Sequence, residues 1–195
     1  VASKVIVWVQ RATTFRRVVI IVYRHAHDVI TASPVEIRPV TRERVADALD
    51  MESSERIEEF RGFLQRGDLG YYGYLDGKVV HRAWARMGPV RVATYHSYGP
   101  LNVESDSGYV HYCETAPSAR GLGVYPAVLC AIVSDLHARG VREVTIATTL
   151  ENSASRHGIE KAGFVESRRI ELRILFGVAF RRDLPILDAS AAANA

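Results

Sequence analysis

The hexapeptide Arg120-Gly121-Leu122-Gly123-Val124-Tyr125 lies between a strand-like run, Tyr109 to Thr115, and a stretch with apolar Val124, Val128, Ala131, Ile132 and Leu136 at helical spacing. Glycines let a loop approach a ligand closely, and the first unpaired N–H groups of a helix point at whatever anion sits there. A diphosphate fits that role. The Arg120 guanidinium could add a charge-assisted contact to phosphate, and Pro126 falls in the first helical turn, where its missing N–H costs little. On these six residues alone, a purely structural turn is an equal reading. A dinucleotide-binding loop is excluded because it should follow the first strand of a βαβ unit with three correctly spaced glycines, and a kinase-type P-loop lacks its Gly-Lys-Ser/Thr.

The elements that must position this loop can be read along the chain. Residues 1–33 form a basic preface in which the arginine spacing suits a helix over Thr13 to His25, the β-branched Val18, Ile20, Ile21 and Val22 favour a strand, and a short strand is expected at Asp28 to Ala32. From Pro34 the pattern sharpens. Val35 to Val40 alternates like a strand and Thr41 offers an N-cap to a helix carrying Val45, Ala48 and Leu49. Ser54 opens a helix with Ile57, Phe60 and Leu64 on one face, ended by Gly67. Tyr71 to Leu75 and Lys78 to Arg86 are joined by Asp76-Gly77, a dipeptide suited to a tight hairpin turn. A strand near Val92 to Ser97 precedes the polar loop Asn102 to Ser107. Beyond the helix over 124–138, Val141 to Thr149 reads as a strand, Ser153 to Ala162 as a helix, and Phe164 to Phe176 with Val178 to Arg182 as two closing strands.

Composition narrows the function classes. A chain of 195 residues, 48% hydrophobic and 24% charged, has the make-up of one globular domain. The longest apolar run, Val18 to Val22, is far short of the roughly 20 residues that cross a bilayer. No membrane span and no export signal are expected, and Cys113 and Cys130 show neither a disulfide nor a zinc spacing, which favours a reducing cytoplasm. No metal is expected. The formal charge of +3 does not demand nucleic acid; a basic face can attract an anionic cofactor or simply be solvated.

A second block adds to the first: Asn152-Ser153-Ala154-Ser155-Arg156-His157-Gly158-Ile159-Glu160-Lys161-Ala162-Gly163-Phe164 follows the strand after the glycine loop's helix. Here the chain resembles the Gcn5-related N-acetyltransferase (GNAT) superfamily. That family has an RxxGxG/A loop between strand and helix and, one strand later, an asparagine-led helix ending in Gly-Phe. Arg120, Gly121 and Gly123 match the first motif; Asn152, Ser155, Glu160, Lys161, Gly163 and Phe164 match the second. The likeness spans about residues 35–182.

The resemblance implies an α/β GNAT fold over 34–184, a mixed twisted sheet with helices on both faces, between the basic extension 1–33 and a disordered tail 185–195. It implies an N-acyltransferase that moves an acetyl or other acyl group from acyl-CoA to an amine of a small molecule or peptide by direct attack; a homodimer is compatible with it. Gly121, Leu122, Gly123, Val124 and Tyr125 would then hold the diphosphate through backbone N–H groups, helped by Arg120. Main-chain groups of Cys113, Glu114 and Thr115 would pair with the pantetheine arm, and Asn152 would steady the pantetheine or adenine end. An ammonium substrate must lose a proton before attack, so a base is needed; Glu114 is favoured over His111, and alternation along a strand puts the two on opposite faces. Cys113 is expected to pack rather than react. Tyr71, Tyr72, Tyr74, Trp84, Tyr95 and Tyr98 fall where the family places its acceptor pocket, or else fill a sheet face.

Two positions depart from the family pattern. Tyr125 replaces the loop's small final residue, and Ile159 replaces the tyrosine that in many members protonates the departing thiolate. Ser155 or solvent would have to serve instead. The alternative is a non-catalytic CoA-binding or regulatory module.

Overall fold

The computed structural model describes residues 15–29, 31–94, 99–176 and 178–186. Its strands are β1 (Arg16–His25), β2 (Glu36–Pro39), β3 (Leu69–Leu75), β4 (Lys78–Met87), β5 (Val90–Thr94), β6 (Gly99–Val103), β7 (Ser107–Thr115), β8 (Glu143–Thr149), β9 (Phe164–Leu175) and β10 (Val178–Leu184). Its α-helices are α1 (Ser54–Gln65), α2 (Val124–Ala138) and α3 (Ser153–Lys161), with 3-10 turns at Val45–Asp50 and Pro117–Ala119. Eight strands form one mixed sheet in the order β10-β9-β1-β8-β7-β4-β3-β2, and β5 pairs with β6 in a separate hairpin.

Local chemistry explains most of these elements. Asp76 and Gly77 both take positive φ, the conformation that a two-residue turn needs to match the twist of β3 and β4. In α1, Ser53 accepts a hydrogen bond from the Arg56 amide, and Ile57, Phe60 and Phe63 form its buried face. The tyrosines of β3 alternate between faces. Tyr72 and Tyr74 join Trp84, Phe60 and Phe63 under α1, while Tyr71 packs with Val128 and Ile132 under α2. A third cluster joins Val18, Ile20 and Val22 of β1 to Leu101 and Val103 of the β5–β6 hairpin. The sheet is thus covered by α2 and α3 on one side and by the first 3-10 turn, α1 and the hairpin on the other.

The sequence leaves helix and strand open for 16–25; these residues are a strand inside the sheet, antiparallel to both β8 and β9, and three other expectations give way. With Val18 through Tyr23 all buried, β-branched stiffness and the burial of both faces outweigh the arginine spacing. No strand forms at 28–32 among the described residues. Thr41 caps no helix: it accepts from the Arg44 amide in a turn, and the element that follows is 3-10, leaving Leu49 exposed. The stretch read as a polar loop from Asn102 includes the end of β6. Residues 1–14 and the tail from 187 lie outside the described residues. No helix among the described residues is long and apolar enough to cross a membrane.

Candidate active site

The site arises where two neighbouring strands part. β7 and β8 run parallel and pair from Ser107↔Glu143 to Val110↔Ile146. Beyond Val110, β7 stays with β4, through Arg82↔Glu114 and His81↔Thr115, whereas β8 stays with β1 out to Ile20↔Thr149. A bulge drives the divergence. Between Arg82 and Trp84 the register slips by one residue of β7, and Tyr112 takes φ 58°, so the strand bends and twists away.

The bulge also resets the alternation of side chains. His111 and Tyr112 both pack on Phe63 of α1, while Cys113 turns to the α2 side and Glu114, opposite Arg82, returns to the parity of His111. The expectation that His111 and Glu114 face opposite ways therefore fails. His111 is engaged elsewhere: its Nε2 lies 3.4 Å from buried Asp68, and it does not line the cleft.

A cavity of about 450 Å³ fills the gap, lined by residues of β7, the glycine loop, α2 and α3. At its mouth Gly121 and Gly123 both have φ in the left-handed region, at 84° and 72°. A Cβ on Gly123 would sit 3.0 Å from the Ala32 carbonyl oxygen, so both conformation and space call for glycine. Gly123 is the N-cap of α2 and offers no side-chain cap. Among the described residues, none of the amides of 121–125 donates to a backbone carbonyl, which leaves them at the positive end of a 15-residue helix. Arg120, His157 and Lys161 add basic side chains to the same wall.

Of the residues singled out in the sequence, Glu114, Ser155, Cys113, Thr115, Arg120, Gly121, Gly123, Val124, Tyr125 and Asn152 all line this cavity; Leu122 sits exposed on the loop beside it. From the sequence, Glu114 is favoured because a carboxylate within the strand would be costly to bury without a role; it is about half exposed, so that reason falls and its position alone recommends it. Arg120 donates to Glu114 at 3.3 Å and to the Thr115 carbonyl at 3.3 Å, drawing the carboxylate to the cavity mouth. Asn152 caps α3, its Oδ1 accepting from the Ser155 amide at 3.1 Å. Burial pushes the Cys113 thiol up to about 12, which keeps it protonated and unreactive.

Sequence reasoning missed several lining groups. His81 of β4 is fully buried; its Nδ1 is 2.7 Å from Thr115 Oγ1, and its Nε2 has no partner. Burial, with help from the Arg82 charge, lowers its pKa to about 3, so the ring is neutral. The Tyr125 ring stands beside it, centroids 5.6 Å apart, with its hydroxyl 3.4 Å from Ser155 Oγ. Alternation within β4 could have signalled His81; the reach of Tyr125 across the gap could not be read without α3 in place. Of the aromatic residues proposed for an acceptor pocket, Tyr71, Tyr72, Tyr74 and Trp84 are buried in the two cores, and Tyr95 and Tyr98 lie outside the described residues. Among the described residues no group of three His, Cys, Asp or Glu side chains is placed to hold a metal ion.

Solved structures share this arrangement of strands and helices. A GNAT-family acetyltransferase from Colwellia psychrerythraea superposes with TM-score 0.62 at 16% identity, covering 91% of this chain and 59% of that one. This chain has the GNAT fold. It spans about three fifths of the length of that GNAT relative. The aminoglycoside 6'-N-acetyltransferase AAC(6')-Ih from Acinetobacter baumannii matches at TM-score 0.54 and 17% identity, over 77% of this chain and 99% of its own. The aminoglycoside N-acetyltransferase AAC(6')-Iy in complex with CoA matches at TM-score 0.51 and 19% identity, over 67% of this chain and 92% of its own. No protein-family model matches the sequence, and no curated protein does either.

Proposed function

We propose that the chain is an N-acyltransferase that takes an acyl group from acyl-CoA, acetyl-CoA in the first instance, and passes it to a primary amine. The observation that carries this is the set of amides at 121–125 that have no backbone acceptor, on a loop lining a cleft made by strands that part after Val110. The residues present suit the co-substrate: a helix N-terminus and three basic side chains at the mouth for phosphate, and an open β7 edge for an extended arm. Aminoglycoside N-acetyltransferases among the fold neighbours, one of them in complex with CoA, support acyl transfer in general.

In this reading the amides of 121–125 fix the diphosphate, Asn152 steadies the arm, and Cys113 and Thr115 offer main-chain groups beside it. Glu114 takes the proton released as the amine nitrogen bonds to the acyl carbon. The cleft holds the two reactants together, so attack is direct and no acyl-enzyme forms; the protonated Cys113 is unsuited to one. The test is thioester turnover against a panel of amines, with CoA affinity measured in parallel. Glu114→Gln should lower kcat/KM at least about a hundredfold with CoA affinity unchanged; unaltered turnover removes Glu114 from the role.

A specific observation favours a second reading. Ile159, at the position of the family's tyrosine acid, is fully buried and carries no polar atom. CoA binding without turnover on any amine would identify a binding module.

A further inference from the structure

The side chain that reaches the inner end of the cleft comes from α2 instead. Tyr125 occupies the first turn of α2 and supplies the last of the amides that would hold the diphosphate. Its ring crosses the cleft from α2 to α3: a Cβ on Gly158 would lie 2.5 Å from a ring carbon, so α3 has room for the ring because residue 158 has no side chain. The hydroxyl lies 3.4 Å from Ser155 Oγ and also meets the Cys113 thiol, and the ring lines the cavity together with Cys113 and His81. The groups facing it are His81 from β4, Tyr109 and Cys113 from β7 and Ser155 from α3. With His81 neutral and Cys113 protonated, none of these four carries a charge.

We propose that the Tyr125 hydroxyl is the hydrogen-bond donor for the sulfur released on acyl transfer, supplied from α2 because Ile159 on α3 cannot provide one. The proposal rests on the acyl-CoA reading and deepens it. Phosphates held by the loop set one end of the co-substrate at the mouth; an arm running inward along β7 then brings its sulfur toward Cys113, where the phenol stands. As the new carbon–nitrogen bond forms, the carbon–sulfur bond breaks and its electron pair goes to sulfur. The amine's proton goes to Glu114 and on to water, the Tyr125 O–H donates to the thiolate and keeps its own proton, and the thiolate is later protonated from water. Burial holds the phenol well above its ordinary pKa, so it stays a donor throughout the working pH range.

The experiment uses the full chain with CoA and desulfo-CoA, comparing wild type with Tyr125→Phe. Ultraviolet absorbance of the bound thiolate, with the desulfo-CoA complex as blank, reports the thiol's ionisation. We expect both ligands to bind both proteins. The bound thiol should ionise about one pH unit higher in Tyr125→Phe than in wild type. Acetyl transfer should fall about a hundredfold in kcat with KM for acetyl-CoA within about twofold. Gly158→Ala, which displaces the ring, should raise the thiol's ionisation in the same direction. Identical ionisation in wild type and Tyr125→Phe overturns the proposal while leaving CoA binding intact. If wild type binds neither ligand, the acyl-CoA reading falls and the proposal with it.

Discussion

Strand β8 has two edges with different fates. Along one, β1 stays paired from Arg24↔Thr145 to Ile20↔Thr149; along the other, β7 leaves after Val110↔Ile146. The closed edge is antiparallel and packed on both faces, with Ile21 at 0% exposure and Ile20 at 2%. The open edge is parallel, short and next to a bulge. The contrast shows that the cleft is more than missing sheet. Two strands follow different partners, β7 bending with β4 and β8 staying straight with β1, and the cavity is the space between them. Stability should therefore reside at the closed edge and binding at the open one.

The most severe way to break this division is at the point where β7 departs. Asp68, fully buried at its side chain, receives Arg86, Arg66 and His111, the first residue beyond the last paired position. Asp68→Ala should cost about 3 kcal/mol, because it removes the buried acceptor that the partly exposed Arg86 and Arg66 and the His111 ring share, and denaturant unfolding would measure it. Desolvation alone would raise the Asp68 pKa, but the hydrogen bonds from His111, Arg86 and Arg66 outweigh it and hold the carboxyl below its ordinary value. A depressed folded pKa contributes stability that is fully present above the unfolded value, near 3.9, and lost as pH falls through the folded one. The difference between wild type and Asp68→Ala should accordingly shrink below about pH 4.

At the closed edge, Ile21→Ala should lower stability by about 2–4 kcal/mol, and the folded fraction should bind CoA as wild type does; a parallel loss of affinity would show the two edges to be coupled. At the open edge, Gly123→Val should lower stability by about 1–3 kcal/mol, from the left-handed φ and the nearby Ala32 carbonyl, and should weaken CoA for the folded protein at least about a hundredfold, or roughly 2.7 kcal/mol by calorimetry. Unchanged affinity would mean that the loop is a turn and nothing more.

Sequence patterns carried far into this molecule wherever local chemistry decides the outcome. The Asp76-Gly77 turn, α2 and the glycine loop follow from turn residues, helical spacing and the left-handed freedom of glycine. They stand as expected within a residue or two. Elements settled by distant partners were harder to read. Val18 to Tyr23 is buried on both faces, so the strand has no alternation to announce it, and only its distant partners β8 and β9 settle its state. Thr41 failed as a cap because the backbone turned too tightly for an α-helix. The site divides in the same way. The amides and Asn152 belong to local motifs, whereas the reversed parity of Glu114 depends on a bulge at Tyr112, and the ring of Tyr125 gains its place from Gly158, 33 positions on.

The position of β1 also bears on how the protein is assembled. Arg24 and its partner Thr145 are roughly 120 positions apart along the chain, and β1 lies between two strands that both follow the glycine loop. Closing so large a loop adds only slowly to its entropic cost, but pairing across such sequence distances slows folding. Local hairpins and helices can form early, while β8 lacks its outer neighbour until the segment from near the start of the chain docks. We predict that ligand-binding competence returns last on refolding, with any slow phase limiting its recovery.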